Sequence, residues 1–429
     1  MSRSEQRELS TVRYSSEDGE SSQPSLHLVI AHSPDANANG RDVSLLTAAE
    51  AVLPIGRDIA PPGLCVKDAR MSRLHFRIVW NHQDQIHHLG DANSANGTYL
   101  NGKRVATSPI EPGDVIRAGD TSFVIDAGDT MTAVRKDVAL VAASPNTVLL
   151  LGESGTGKEV LARSLHEGSD LSGNFIPVNC AAIPKDLVAA ELFGHTRGAF
   201  SGAAIARQGL FMAAAGGSLF LDEVADLPLE VQPALLRALQ EKRIRPVGAE
   251  RETECSARII AATHVDLLTA CDAGRFRHDL YARLSGFTFT LPPLRARRRE
   301  IIPLFYGFCK RNVALSANTA EALLLWNFPG NVRELAALAS AFEVFRPQDT
   351  ALGIEFLKAR QPAMSDFLQD REPSSTPPRK RSAAPRQLAS LLSEHAWNIS
   401  AVAQALNCSR VQIYRWIKAY GLSRPDTES

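Results

Sequence analysis

Gly152-Glu153-Ser154-Gly155-Thr156-Gly157-Lys158 is a run suited to holding phosphate. Glycines let backbone N–H groups turn toward anionic oxygens. A helix starting where the run ends adds positive potential, and Lys158 reaches the β/γ oxygens of a nucleotide. The general pattern places Ser or Thr after the lysine; Glu159 stands there instead, so one magnesium ligand of such loops is missing. Further along, Gly217-Ser-Leu-Phe-Leu-Asp222-Glu223 is an apolar run ending in two acids. A buried strand has no packing use for carboxylates at its tip, whereas a hydrolase does. One of Asp222 and Glu223 would hold magnesium and the other would orient the attacking water. The bland alternatives are a glycine-rich strand-to-helix turn and acids that merely cap a helix. The order of the two elements favours ATP and Mg2+.

A second phosphate chemistry is spelled out earlier in the chain. Gly56-Arg57, Ser72-Arg73-Leu74-His75 and Asn96-Gly97-Thr98-Tyr99-Leu100-Asn101-Gly102 stand in series, with PGDVIRAG at 112–119. A phosphorylated residue carries nearly two negative charges and calls for charge-assisted donors on rigid loops. Arg57, Ser72 and Arg73 are donors of that type. Taken singly, SRLH reads as a strand edge and NGTYLNG as a hairpin.

The elements that must position these residues follow from pattern. Short β-like runs (LHLVI, SLLTAA, FRIVW, TYLNG, VIRAG, SFVI) separated by turn signals predict an all-β sandwich over 26–127. From 130 to 358 the strands TVLLLG, SLFLDE and ARIIAATH alternate with the helical EVLARSLHE and VQPALLRALQEK. That alternation predicts an α/β domain on a parallel sheet, with a mostly helical lid over 295–358. Residues 1–25 read as a disordered tail and the Pro/Ser/Arg-rich 359–386 as a linker. The segment 387–424 reads as a helix-turn-helix in which Arg410, Gln412, Arg415 and Lys418 fall outside the apolar stripe, where a recognition helix meets the major groove. It carries five basic residues (386, 410, 415, 418, 424) against one acid, Glu394, when Arg386 is counted at its edge.

At 429 residues, 44% hydrophobic and 22% charged, the chain is too long for one domain and too apolar for wholesale disorder. Lys+Arg equals Asp+Glu, 47 each, which excludes a globally basic nucleic-acid binder but not one small DNA-binding module. Cys65, Cys180, Cys255, Cys271, Cys309 and Cys408 form no CxxC pair and read as reduced thiols of a cytoplasmic protein. The polar N-terminus lacks a signal core, and the chain has no membrane-spanning run.

GESGTGKE (152–159), FIPVNCAAI (175–183), ELFGHTRGAFSGA (191–203), RIIAATH (258–264), GRFRHDLYARL (274–284) and FPGNVREL (328–335) together resemble the AAA+ activators of sigma-54 RNA polymerase. The resemblance spans roughly residues 130–358 and includes the glutamate after the lysine, Glu159. It implies that Asn179 restrains the catalytic Glu223, that Thr263 is a first nucleotide sensor and that Arg333 is a second. It implies that Arg277 and Arg283 are arginine fingers acting on a neighbour's ATP, hence an oligomer from dimer to hexamer. It implies that Gly198-Ala199-Phe200-Ser201-Gly202-Ala203 touches the sigma factor. Ser201 stands where the family usually has threonine, and Thr196 and Met212 stand where it often has glutamate. Residues 26–127 resemble a forkhead-associated (FHA) phosphothreonine-binding domain, with Ala95 where many members carry a hydroxyl. The resemblance implies that Arg57 and Ser72 bond the phosphate with Arg73 as a third contact, that Asn96 holds the ligand backbone and that His75 buttresses the loop. Residues 387–424 resemble a Fis-type DNA-binding domain, with Trp397 replacing a common glycine.

The expectation is a multidomain, cytoplasmic, sigma-54-dependent regulator. It would bind DNA upstream of promoters and hydrolyse ATP to remodel closed complexes, gated by a threonine-phosphorylated protein or Ser/Thr kinase. The absence of a preceding receiver module favours that kind of control. A nucleotide-assembled DNA-binding repressor, or a remodeller of another client, are the alternatives.

Overall fold

The computed structural model describes residues 26–48, 51–128, 130–309, 313–345, 353–360, 391–393 and 402. It divides the chain into two compact units, Met1–Gln369 and Asp370–Ser429. Of the second unit, a helical stretch at 391–393 and Val402 are described, with Leu392 and Val402 buried. The recognition-helix residues Arg410, Gln412, Arg415 and Lys418 lie outside the described residues, as do the tail 1–25 and the linker from 361 onward.

The N-terminal part of the first unit is a sandwich of two sheets. One has the strand order Asp42–Ser44, His27–His32, Thr121–Asp126, Val115–Ala118, Thr98–Leu100, Lys103–Val105. The other runs Leu64–Cys65, Val52–Gly56, Phe76–Asn81, Ile86–Asp91, Thr107–Ile110. Alternation along Phe76-Arg-Ile-Val-Trp places Phe76, Ile78 and Trp80 inward, as the two-residue period of a strand requires. Phe76 from one sheet meets Phe123 from the other edge-on, ring centroids 5.5 Å apart, at the centre of the core. The expected strand SLLTAA is not one, because pairing stops at Ser44 and Leu45 turns inward while Leu46 is exposed. The strand comes later, at Val52–Gly56, where Pro54 disguised it by removing a ladder donor.

The α/β core is a five-stranded, wholly parallel sheet in the order Phe175–Asn179, Ser218–Asp222, Arg258–Thr263, Val148–Leu151, Phe287–Thr290. Helices cover both faces, so strands such as Leu149-Leu150 and Ile260-Ala261 are apolar throughout. The phosphate-loop strand and the acid-bearing strand both end at the carboxyl edge of this sheet, where open α/β folds bind ligands. The lid follows as the helices Ile301–Phe308, Ala317–Leu325, Asn331–Phe345 and Ile354–Arg360.

Candidate functional site

The loop 152–157 leaves Val148–Leu151 and feeds the helix Lys158–Glu167. Gly155 has φ +78°, and a Cβ there would stand 2.4 Å from the lid carbonyl of Gly330. Glycine is required both for the left-handed turn and for this close approach. Lys158 is buried at 6% exposure, and its Nζ donates to the loop's own carbonyls at Gly152 (2.7 Å) and Glu153 (3.2 Å). Burial lowers its pKa, opposed by the carboxylates of Glu223 and Asp222. Lysine and acids therefore face one another across the strand ends.

Asp222 is pushed upward by burial and by the charge of Glu223, and its Oδ1 is buried without a hydrogen-bond partner. Among the described residues no group of three or more His, Cys, Asp or Glu could hold a metal by itself. The buried, unpartnered Asp222 oxygen fits magnesium, which keeps several waters and takes one or two carboxylates plus substrate phosphates. Glu223 sits at φ +52°, a left-handed position that turns its side chain off the strand. Its Oε2 accepts from His264 Nδ1 at 2.7 Å and from the His264 N–H at 3.3 Å. Asn179 pairs in register with Asp222, but its side-chain oxygen accepts from Ala181 N at 3.0 Å. Glu223 is thus held by His264, not by the expected Asn179. Thr263 is fully buried, and its hydroxyl accepts from Val265 N.

The lid closes over the loop. Arg333 donates to Ser154 Oγ at 3.0 Å. Arg295 makes a two-pronged contact with Glu153 at 2.6 and 2.8 Å, and Asn331 donates to the same carboxylate. The side-chain bonds from Arg295 and Asn331 bring the Glu153 carboxyl down to about 2. Arg277 and Arg283 are spent elsewhere in their own chain. Arg277 pairs with Asp279 at 2.6 Å, and Arg283 donates to the Leu239 carbonyl. Glu159 pairs with Arg163, one helical turn on, at 3.6 Å.

Residues 198–203 tip a hairpin based on Gly194–His195 and Arg207–Gln208. Gly198 N–H bonds to the Ala203 carbonyl at 2.8 Å, and Ser201 and Gly202 project to solvent. Phe200 is 37% exposed, with its ring 5.1 Å from that of His195. Ala199 is half-buried and Ala203 buried, anchoring the tip.

In the sandwich, Arg57, Asp58, Ser72, Arg73, Leu74, Asn93 and Ala95 line a cleft of about 680 Å³. Gly56 brings Arg57 to it, since a Cβ there would overlap the Arg73 carbonyl at 1.9 Å. His75 is fully buried. Its Nε2 donates to the Gly97 carbonyl, leaving Nδ1 to accept from Ser72 N–H at 3.0 Å. Burial lowers its pKa, which keeps this tautomer. Asp91 accepts from the Ser94 and Thr98 hydroxyls, both at 2.6 Å, pinning the facing loop. Asn96 is not free at the cleft: its amide donates to the Arg70 carbonyl at 2.5 Å. Asn93, at φ +57°, lines the cleft instead and went unread in the sequence.

Comparison with known proteins identifies three domain families along the chain. A model of the Sigma-54 interaction domain matches residues 124–290, an FHA domain model 53–119, and a Homeodomain-like domain model 382–426. Response regulator protein PilR of Pseudomonas aeruginosa is 40% identical over 316 residues, covering 68% of each chain. Transcriptional regulatory protein GlrR of Escherichia coli is 43% identical over 222 residues, 49% of this chain and 50% of GlrR. The crystal structure of NtrX from Brucella abortus superposes with a TM-score of 0.50 at 26% identity, over 69% of this chain and 68% of NtrX. The chain belongs to the sigma-54 activator family of AAA+ proteins, with an FHA domain before the AAA+ domain and a helix-turn-helix-type domain after it. It spans about half the length of GlrR and of the anaerobic nitric oxide reductase transcription regulator NorR of Escherichia coli. Among the described residues no helix is long and apolar enough to cross a membrane.

Proposed function

We propose that this chain is a cytoplasmic, phosphothreonine-gated, ATP-driven activator of sigma-54 RNA polymerase. The observation that carries the reading is the facing set of Lys158, Asp222 and Glu223 beneath Arg333, with one Asp222 oxygen buried and unpartnered. Loop 152–157 and Lys158 cradle the triphosphate of ATP. Asp222 holds Mg2+, which when bound neutralises charge on the phosphates. Glu223 orients water, and His264 sets the direction of its carboxylate. Thr263 and Arg333 sense the γ-phosphate, and Asn179 lines the same strand edge. Arg277 and Arg283, bound only within their own surface, act on a neighbour's ATP, so the active form is an oligomer closing toward a hexamer.

The tip 198–203 presents Phe200 and Ser201 to sigma-54. Arg57, Ser72 and Arg73, with Asn93 and a released Asn96, take a phosphothreonine on a partner protein or kinase. Arg410, Gln412, Arg415 and Lys418 bind DNA upstream of the promoter. Open-complex formation on a sigma-54 promoter tests the reading. It should require the chain, hydrolysable ATP and Mg2+, and should respond to a phosphothreonine peptide. Promoter opening that proceeds equally with a non-hydrolysable analogue would exclude it.

A further inference from the structure

The sandwich is docked on the lid. Every residue from Thr319 to Leu325 of the lid helix Ala317–Leu325 is buried. A helix buried all round needs cover on both sides. Lid helices supply one side, and the strands Val115–Ala118 and Thr121–Asp126 supply the other. Val115 and Val124 belong to one apolar cluster with Phe305, Leu323 and Leu324. Inside this interface Arg117 Nε donates to Glu321 Oε2 at 2.7 Å, with only 16% and 10% of the two side chains exposed. A pair so nearly desolvated is costly to leave half-made, so it fixes the docking register.

The segment Leu294-Arg295-Ala296-Arg297-Arg298-Arg299 joins this interface to the nucleotide loop. Arg295 holds Glu153, and Arg297 donates to the Thr156 carbonyl at 2.7 Å. The next two arginines turn the other way: Arg298 to the Gly113 carbonyl and Arg299 to Asp126, both in the sandwich. The sandwich is also anchored to the α/β core. Its last strand ends at Asp126, and the helix Thr130–Ala142 buries Val138 and Ala142 against Leu161 and Leu165. It therefore spans from core to lid.

The phosphate cleft shares the docked hairpin. Asp68, on the loop that carries Ser72, accepts from Asp120 N and the Thr121 hydroxyl, and Arg70 pairs with Asp120 at 3.3 Å. Asn96 closes that loop through the Arg70 carbonyl. A ligand that drew Asn96 away would remove this tie from the loop bonded to the turn between the two strands lying on the lid.

We propose that the docked sandwich is an intramolecular brace between core and lid. In this state it restrains the change in lid angle that ATP turnover requires, and phosphothreonine capture releases it. The arginine run Arg295–Arg299 carries the release to the loop 152–157. This rests on the functional reading above. A conformational change needs contacts that differ between its two states, and the Arg117–Glu321 pair together with the Arg298 and Arg299 contacts is that difference.

The test uses the full chain, steady-state ATP hydrolysis at fixed protein concentration, and hydrogen exchange of Ala317–Leu325, with a synthetic phosphothreonine peptide as probe. Arg117→Glu should raise hydrolysis without peptide about fivefold or more, the lower end of usual coupling energies. It should deprotect Ala317–Leu325 and leave no further response to the peptide. The swap R117E/E321R should restore restraint. Arg298→Ala/Arg299→Ala, which changes no residue of the sandwich itself, should act in the same direction. Folded R117E with wild-type hydrolysis and wild-type protection of Ala317–Leu325 overturns the brace. A wild type that neither hydrolyses ATP nor binds the peptide overturns the functional reading, while exchange in Ala317–Leu325 still judges the brace alone.

Discussion

The two sites proposed to take phosphate are built on opposite plans. At 152–158 the donors are backbone N–H groups and a single lysine buried at 6% exposure, closed from above by Asn331 and Arg333. In the sandwich the donors are the side chains of Arg57, Ser72 and Arg73, set on loops around an open cleft and stiffened from beneath by His75. The first site is capped by a separate helical layer. In the second, His75 and Asp91 hold the loops in place, while the Asn96 amide is bonded to the Arg70 carbonyl. A closing site suits a nucleotide whose charge changes during a reaction. An open, rigid one suits a phosphate carried on another protein.

The comparison is broken most severely at the closing site. Arg277→Ala or Arg283→Ala should leave nucleotide binding intact and cut turnover by ~10³ or more, the usual scale for such arginines. The loss should be complemented in mixed oligomers, read as ATPase activity across mixing ratios. Glu223→Ala should likewise bind ATP and fail to hydrolyse it. Lys158→Ala should weaken binding of a fluorescent ATP analogue by about 100-fold, the scale of one strong charge-assisted contact.

The open site should yield smaller and separable effects. Arg57→Ala or Ser72→Ala should reduce phosphothreonine-peptide affinity by roughly 10- to 100-fold in calorimetry, one or two charge-assisted bonds. ATPase without peptide should not change. His264→Ala sharpens the contrast, because it removes the hold on Glu223 without touching the phosphate loop. Turnover should fall about tenfold with KM unchanged, and His264→Asn, which keeps a donor, should recover most of it.

The sequence makes the closing site legible and the open one only partly so. The glycines, Lys158 and Asp222-Glu223 lie in contiguous runs whose spacing follows from strand and helix geometry. The Glu223–His264 bond links positions 41 apart, and Arg295 reaches Glu153 across 142 residues. No local pattern encodes either. Asn96 stands where the resemblance puts a ligand contact, yet it is bonded to Arg70, while Asn93 faces the cleft. Which asparagine points outward depends on loop conformation, not on order in the chain. The strands Val148–Leu151, Ser218–Asp222 and Arg258–Thr263 are plain in their apolar runs. Phe287–Thr290 is missed because its alternating FTFT is too short to show a period.

The smallest expected effect is a pH dependence of the sandwich. Burial lowers the pKa of His32, His75 and His87 below the ordinary histidine value. As pH falls, the unfolded state takes up protons first, so these groups remove stability as pH drops below about 6.5. A protonated His75 also cannot accept from Ser72 N–H. Thermal melts should show a Tm falling by a few degrees between about pH 7.5 and about pH 5.5. His75→Gln should be less stable at the upper pH and show a shallower slope.

The central claim is that the open site governs the closing one. Titrating the full chain with a phosphothreonine peptide and with its unphosphorylated twin, while recording ATP hydrolysis, tests it most directly. Hydrolysis should rise with the phosphorylated peptide alone, and Arg57→Ala should abolish the rise while keeping basal turnover. Identical responses to the two peptides, or tight phosphopeptide binding with no change in hydrolysis, would contradict it.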